Sequence, residues 1–423
     1  MCHSGANRWR RARLLPGNND MVLPTEARVR LAAARKLQIG TPLTLDAAAT
    51  YRRLLEEPGL SFDEQRGSWL AARYADVQRI LLDPKTFSSQ RTLNRDGSVD
   101  EVASGSILGL DPPRHRQLRH LLAQAFSQRR VAQLEPRIRA ICNRLIGAMH
   151  GQRSADLVEA LAFPLPITVI AELLGVPLYD IGQFRVWAAE MLSNDYELRL
   201  AAFGQFAEYF DDLIEQRRHA MADDLLSALI STQTDGERLS QRDITSACTL
   251  LLIAGHETTT SLIPVLLWCL DDHPEARAEV IRSPELLSGA IEEALRLRAV
   301  VHYMPRVVTE EVEFEGSRLR PGELVLPLFA AANLDPRQFP EPERFDIRRS
   351  PNRHFGFGHG IHLCLGATLA RLETTIAVQQ LLERFPGLER DRSQPLELRP
   401  AAFVYSLKHY PVRLHSRVAA DRP

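Results

Sequence analysis

One cysteine, three histidines and four glycines are concentrated in the segment HFGFGHGIHLCLG, residues 354–366. Glycine has no Cβ atom, so a glycine-rich backbone can approach a large, flat partner closely. A helical pattern follows Cys364 at once, and a helix N-terminus stabilises a thiolate through its dipole and its free backbone N–H groups. The segment therefore suits a thiolate that binds a metal centre.

Three other interpretations of this segment are open to test. A zinc site could use His359, His362 and Cys364, but no fourth ligand with finger-like spacing lies nearby. A dinucleotide-binding loop requires a third glycine three residues after Gly360, and Leu363 stands there instead. A buried structural cysteine is the default for Cys142, Cys248 and Cys269, but it does not account for the glycines around Cys364.

The composition of the 423 residues narrows the class of protein. Apolar residues make up 45% and charged residues 25%, and the net charge of −1 offers no general attraction to nucleic acid or to an anionic membrane. Five dispersed cysteines favour a reducing compartment, so we expect a cytoplasmic protein. The apolar stretch 244–270 contains the polar run HETTT, which predicts a buried helix and not a membrane span.

The elements that position these residues are mostly helices. Residues 1–20 lack the apolar core of a signal peptide and are expected to form a disordered extension before one domain, 21–423. Within it a helical lobe is predicted over about 85–298, with β-containing portions over about 40–84 and 299–415. Residues 85–110 form a long polar loop, Ser240 and Asp243 form a capping-box pattern, and a helix runs from about Leu365 to Phe385. The predicted fold class is mainly α with small β-sheets.

The cysteine segment resembles the haem-binding signature of the cytochrome P450 superfamily. FGHGIHLCLG, residues 357–366, matches the pattern F-G-x-G-x-H-x-C-x-G at every fixed position. The resemblance implies a triangular helical prism with a long central helix over haem b. It also implies that Cys364 ligates the iron, since thiolate donation favours O–O cleavage. Phe357, Gly358 and Gly366 are the further cofactor-binding positions of this segment.

A second motif is the pair Glu293 and Arg296, which share one helix face at a spacing of three residues. Taken alone, such a pair indicates a surface salt bridge of little energetic value. It resembles the E-x-x-R pair of the family, which implies a buried structural role beneath the cysteine loop. Arg344 is expected to be the third member, because a buried ion pair needs additional partners to offset desolvation.

A third motif, AGHETT, lies in the long apolar helix at residues 254–259. In the family its small residues, here Ala254 and Gly255, open a groove for O₂, and an acid–alcohol pair relays protons. The resemblance assigns proton relay to Glu257 and binding of the oxygen ligand and its water to Thr258. A threonine that merely bends the helix is the simpler alternative. His256 is expected to be a packed or surface histidine.

Four basic residues are similar to the haem-propionate contacts of the family. His115 and Arg119 lie four residues apart on one helix face, and Arg306 and His354 match two further positions. Arginine suits this role because its planar fork pairs with a carboxylate. Arg114 stands where the family usually has an acidic residue, a departure that is expected to affect only the surface.

The resemblance implies a monooxygenase that inserts one oxygen atom of O₂ into an apolar small molecule of secondary metabolism. Electrons from NAD(P)H are expected through a separate ferredoxin and ferredoxin reductase, which dock transiently near Arg129, Arg130, Arg353 and Arg371. The protein is expected to be a monomer. A peroxide-using enzyme or a non-hydroxylating haem binder is the alternative, which Glu257 and Thr258 disfavour.

The resemblance also implies which residues line the substrate pocket. They are Ile107, Leu108, Met191, Ala254, Val300, Val301 and Phe403. His302 and Tyr303 either contact a polar substrate group or pack.

Overall fold

A computed structural model of the chain describes residues 47–64, 66–90, 106–193, 195–234, 237–399 and 403–415. The expected N-terminal extension, residues 1–20, and most of the loop 85–110 lie outside the described residues. Within the described ranges the protein is mainly helical and carries small sheets, as the sequence predicted.

The helices are numbered in chain order. Those of the N-terminal half are α1 (Ala48–Glu56), α2 (Tyr74–Leu82), α3 (Arg114–Ala125), α4 (Gln128–Ala148), α5 (Pro164–Leu174), α6 (Ile181–Met191), α7 (Tyr196–His219) and α8 (Leu225–Ser231). Those of the C-terminal half are α9 (Gln241–Asp272), α10 (Pro274–Arg282), α11 (Leu287–Leu297), α12 (Phe329–Ala332) and α13 (Ala367–Arg384). A π-helical turn, Val158–Ala162, precedes α5, and one 3₁₀ turn, Gly360–His362, precedes Cys364.

Twelve short strands are present in the described parts of the chain. They are β1 (Ser61–Asp63), β2 (Ser68–Ala71), β3 (Phe87–Ser88), β4 (Ser154–Asp156), β5 (Gln233–Thr234), β6 (Glu237–Arg238), β7 (Arg306–Val308), β8 (Val312–Phe314), β9 (Ser317–Leu319), β10 (Leu324–Pro327), β11 (Glu389–Arg390) and β12 (Pro411–Arg413). The main sheet has the order β1-β2-β10-β7-β3, and a second sheet has the order β11-β12-β4. Two hairpins, β5-β6 and β8-β9, complete the set.

The long helix α9 forms the centre of the core. Its N-terminus carries the predicted capping box: Ser240 Oγ accepts from the Asp243 backbone N–H at 3.1 Å, and the Asp243 carboxylate accepts from the Ser240 backbone N–H at 3.1 Å. Helices α5, α7, α11 and α13 pack around it and bury most of its side chains. Among the described residues α9 is the one helix long and apolar enough to cross a membrane, and 78% of that apolar window is buried inside the protein. It is therefore a core helix in this fold.

Candidate active site

Cys364 lies in a loop whose shape depends on two glycines. Gly358 and Gly360 have φ of +72° and +66°, backbone conformations that residues with a Cβ atom rarely adopt. The Cys364 backbone N–H donates to the Phe357 carbonyl at 2.8 Å, which closes the loop. Helix α13 begins at Ala367, two residues later than predicted, so Cys364 precedes the helix instead of lying in its first turn.

The thiol of Cys364 faces the start of α13. Its side chain is exposed, yet surrounding protein removes enough water that desolvation raises its pKa. The backbone N–H groups of Gly366 and Ala367 and the charges of Arg119 and Arg371 act in the opposite direction. An accessible sulfur that receives backbone N–H groups and positive charge is arranged to bind as a thiolate.

Helix α9 presents an accessible strip in an otherwise buried surface. Ala254 is exposed and Thr258 is partly exposed, and the two residues lie one turn apart on the same face. Thr258 Oγ1 donates to the Ala254 carbonyl at 3.0 Å, so its lone pairs remain free to accept a hydrogen bond. The strip thus offers a small side chain and a hydroxyl acceptor to a neighbouring cavity.

Gly255 is partly exposed as well, but a side chain at this position would face α5. A Cβ atom built on Gly255 would lie 2.9 Å from Cγ1 of Ile170 on α5, so the glycine permits close packing of α5 on α9. Adjacent residues of a helix point about 100° apart, so positions 254 and 255 face different neighbours. The expected groove for O₂ at Ala254 and Gly255 stays a prediction.

Several basic side chains lie close to residues 362 and 363 of the cysteine loop. The His115 ring on α3 is buried and lies 4.3 Å from the His362 ring, centroid to centroid. The Arg119 guanidinium donates to the Leu363 carbonyl. Arg306 is buried too, and the charges of both arginines lower the pKa of His362 further, after burial, to about 3. Three of the four residues that resemble propionate contacts therefore lie together.

The His115 ring is unusual because both of its nitrogens are buried without a hydrogen-bond partner among the described residues. Burial and the charge of Arg119 lower its pKa, so the ring is kept neutral. Leaving a buried donor unpaired costs about 1–3 kcal/mol. A cleft of about 290 Å³ opens here, lined by His115, Arg116, Arg119, His120, Ala123, Gly360 and Ile361.

The Glu293–Arg296 pair is fully buried and bidentate, with N–O distances of 2.8 and 2.7 Å. Arg296 also donates to the carbonyl oxygens of Asn333, Pro342 and Arg344. These contacts connect α11 to the chain that leads into the cysteine loop. Asn333 makes a further contact with this segment: its Oδ1 accepts a hydrogen bond at 2.7 Å from the backbone N–H of Phe355, which lies nine residues before Cys364.

The comparisons with known proteins decide the family. Residues 162–412 match the family model described as Cytochrome P450. The chain is 41% identical over 386 residues to the cytochrome P450 monooxygenase PikC of Streptomyces venezuelae, which covers 89% of this chain and 92% of PikC. The chain belongs to the cytochrome P450 family.

Other relatives are named for their reactions. The mycinamicin IV hydroxylase/epoxidase of Micromonospora griseorubida is 40% identical, with 76% of this chain and 83% of the relative covered. The crystal structure of CYP109E1 from Bacillus megaterium with testosterone has a TM-score of 0.82 and 35% identity, covering 87% of this chain and 97% of that chain. The protein is a P450 monooxygenase, and its family membership implies haem iron, O₂ and electrons that arrive through redox partners.

In this P450 the expected role of the Arg344 side chain is wrong. Its guanidinium is exposed and pairs with Glu341 at 3.0 Å, whereas the buried carboxylate of Glu293 receives Arg349 Nε at 3.0 Å and Asn352 Nδ2 at 3.0 Å. Arg344 contributes its backbone carbonyl instead. The local chain turns the Arg344 side chain outward, and sequence spacing alone does not report that direction.

His354 is engaged within the protein. Nδ1 accepts from the Gly356 backbone N–H at 2.9 Å, and Nε2 lies 3.2 Å from the Glu292 carboxylate, which also receives Arg371 in a bidentate pair at 2.7 Å. Burial raises the pKa of Glu292, but Arg371 and His354 outweigh it and hold that pKa at about 2. A propionate contact from His354 would require it to exchange Glu292 for the propionate.

The expected pocket residues are brought together only in part. Val301 pairs with Val404 in an isolated β-bridge, and the backbone N–H of His302 donates to the Phe403 carbonyl at 3.0 Å, so residues 301 and 403 are neighbours. Val300 is buried in the core and offers no accessible side chain. Of the other expected lining residues, Ile107 and Leu108 share one 3₁₀ turn, Ile107–Gly109, and Met191 ends α6; the three are partly or fully exposed.

His302 packs. Its ring is buried and stacked on Tyr405 with centroids 5.1 Å apart, and Nδ1 bonds the Tyr51 hydroxyl at 2.6 Å. Burial lowers the pKa of His302 to about 4, so the ring is neutral. Tyr303 is likewise buried. Arg114 forms a partly exposed ion pair with Asp243, in keeping with a surface role.

Proposed function

We propose that the protein uses haem b, bound through Cys364, to hydroxylate or epoxidise an apolar small molecule. The main support is a combination of two features. Cys364 is accessible and receives backbone N–H groups, and the buried His115 ring on the same side of the fold has both nitrogens without a hydrogen-bond partner among the described residues. A neutral imidazole with a free N–H suits one propionate, and Arg119 and Arg306 supply charge for both. Bound haem supplies the oxidising chemistry.

The roles proposed for the chain's own residues follow from the accessible strip of α9. Ala254, exposed on α9, would leave room for the cofactor. Thr258 accepts a hydrogen bond from a water or hydroxyl ligand in the cavity, because its own proton is held by the Ala254 carbonyl. Glu257, buried next to Thr258, relays protons from solvent to the cavity. Phe357, Gly358 and Gly366 shape the loop around Cys364.

We also propose an apolar substrate of the size handled by the relatives. Those relatives are named for mycinamicin IV and vitamin D(3), and one neighbour was solved with testosterone. The side chains of Ala254, Val301, Ile107, Leu108, Met191 and Phe403 supply apolar surface and no charge. A ferredoxin with its reductase is proposed as the electron source, in a monomeric cytoplasmic enzyme of secondary metabolism.

The test of this function is the reduced carbon-monoxide difference spectrum of the purified protein. We expect the Soret band of thiolate-ligated haem, and we expect Cys364→Ala to lose it. Cys269→Ala is the matched control, because Cys269 is fully buried in α9. A histidine-type band in fresh wild-type protein, or no band after haem supplementation, would contradict the proposal.

A further inference from the structure

His256 is fully buried on α9, and one of its ring protons is fixed by geometry. Nδ1 lies 2.6 Å from the backbone carbonyl oxygen of Leu252, one turn earlier. A carbonyl oxygen can only accept a hydrogen bond, so Nδ1 must carry a proton. In a neutral ring this leaves Nε2 with a lone pair and no proton.

That lone pair lies close to a carboxylate. Nε2 of His256 lies 3.3 Å from Oε1 of Glu257, without the alignment of a full hydrogen bond and with no other partner in the described part of the chain. An unprotonated Nε2 and an ionised carboxylate would place two lone pairs against each other in a dry environment. The contact is favourable only if one additional proton is shared between the two groups.

The surroundings of Glu257 favour its ionised form. Burial raises the pKa of Glu257, but the adjacent His256 ring and the charges of Arg399 and Arg185 outweigh burial and lower that pKa. Arg185 on α6 is itself paired with Glu159 of the π-helical turn, which weakens its effect. Glu257 is therefore the carboxylate of the pair.

Among the described residues, the aromatic ring in contact with His256 is that of Phe163. The two rings are nearly perpendicular with centroids 5.9 Å apart, and the Arg185 guanidinium lies 4.3 Å from the centroid of the same Phe163 ring. With no exposed surface of its own, His256 exchanges protons only through Glu257, whose side chain is 7% exposed. The two residues form a unit with a single opening.

We propose that His256 is a positioning residue that stores one proton for Glu257. The Nε2 proton of His256 moves to Oε1 of Glu257, and the carboxyl group formed in this way gives that proton to the cavity beside Thr258. The imidazole is then neutral and keeps Nδ1–H on Leu252, and Glu257 is again a carboxylate. A proton from solvent returns through Glu257 to Nε2 and restores the imidazolium. The inference rests on the relay role proposed for Glu257 and Thr258.

The charge state is tested first, because it is measured without turnover. In the diamagnetic reduced carbon-monoxide form of ¹⁵N-histidine-labelled holoenzyme at pH 7, we expect the His256 signals to show both nitrogens protonated. Glu257→Gln should convert them to those of the neutral Nδ1–H tautomer, since a carboxamide provides no charge partner. A neutral His256 in the wild-type enzyme overturns the proposal.

The functional consequence is tested with His256→Gln, which keeps a donor towards Glu257 but cannot exchange a proton. We expect the ratio of product formed to NAD(P)H consumed to fall about tenfold, the effect of one pKa unit on a proton donor. We also expect its dependence on pH between 6 and 8 to flatten. An unchanged ratio and pH profile overturn the storage role.

His273→Gln is the matched control. His273 makes the same bond one turn back, with Nδ1 2.8 Å from the Cys269 carbonyl, but its ring lies at the end of α9 against Phe345, with centroids 5.0 Å apart. It should keep the wild-type ratio and profile. If the carbon-monoxide band or wild-type turnover is missing, the proposed function fails; if both are present and His256→Gln behaves like His273→Gln, only the storage role fails.

Discussion

Among single residues, Glu373 stands out because its carboxyl group is buried without an opposite charge. It lies on α13, is 1% exposed, and has one carboxyl oxygen without a hydrogen-bond partner among the described residues. Its neighbour across the α4–α13 contact is Cys142, a buried thiol. Desolvation raises the pKa of Glu373 well above its ordinary value of 4.5, so the folded protein keeps this group protonated.

The resulting dependence of stability on pH has a definite sign. A raised carboxyl pKa contributes stability that is complete below about pH 4.5 and is lost as pH rises towards the folded-state value, by up to about 1.4 kcal/mol per pH unit. Glu373→Gln removes this loss. We expect the free energy of unfolding in urea of the variant, relative to that of the wild type, to increase progressively from pH 5 to pH 8.

The control for this comparison is Glu383→Gln, an exposed glutamate on the same helix. Its difference from the wild type should stay constant over the same range. The idea would be wrong if Glu373→Gln and Glu383→Gln gave parallel curves. Measuring differences is necessary because Glu257 and Glu292, whose pKa values are lowered, impose the opposite trend on every variant.

At the level of elements, the cysteine loop is held against the end of α2 by Gly360. A Cβ atom on Gly360 would lie 2.5 Å from the Leu81 carbonyl oxygen, and φ is +66°. Gly360→Ala is therefore expected to combine backbone strain of about 1 kcal/mol with a displacement of the loop that carries Cys364. We expect a lower haem content and a lower melting temperature, measured by absorbance and calorimetry.

Gly151→Ala separates the two causes. Gly151 has φ of +82° and no atom within 4 Å of an added Cβ, so that variant carries the strain without the clash. It should lose stability but retain haem. Equal haem contents in the two variants would show that contact with α2 does not position the loop.

The stability of the segment between α11 and the cysteine loop depends more on the side chain of Arg349 than on that of Arg344. The Arg349 side chain is 9% exposed. It donates hydrogen bonds to the Glu293 carboxylate and also to the Pro340 carbonyl. Removing one member of a buried charge network leaves another charge uncompensated. Arg349→Ala should lower the free energy of unfolding by about 3 kcal/mol, and Arg344→Ala by less than about 0.5 kcal/mol. If both variants lost the same free energy of unfolding in urea, the Arg344 side chain would be part of the buried network after all.

The contrast between these two arginines shows what the sequence can convey. The cysteine signature and the capping box at Ser240 are local patterns, and the structure has both the positive-φ glycines and the cap. The third partner of Glu293 is set by the path of a loop more than 50 residues away, as is the engagement of His354 by Glu292. Glu373 reads as a polar position of α13 and becomes buried only because α4 covers it.

The distribution of charge over the whole molecule bears on how electrons reach the haem. The net charge is −1, so steering of a partner must come from a local patch. Arg129, Arg130 and Arg353 are exposed on α4 and on the segment before the cysteine loop, and α4 packs against α13. Arg371, expected in the same patch, is held by Glu292 and covers the Phe357 ring at 4.3 Å. It is therefore less available to a partner than the other three.

Reversing the charge of this patch tests its part in docking. With Arg129, Arg130 and Arg353 all changed to Glu, we expect reduction by a ferredoxin to slow about tenfold at low salt and to lose its decline with ionic strength. Stopped-flow reduction measures both effects, and dithionite should reduce variant and wild type equally. Arg218→Glu, an exposed arginine on α7, which packs against α6 and α9, is the control and should match the wild type. Unaltered rates and an unaltered salt dependence in the triple variant would mean that ferredoxin binds elsewhere.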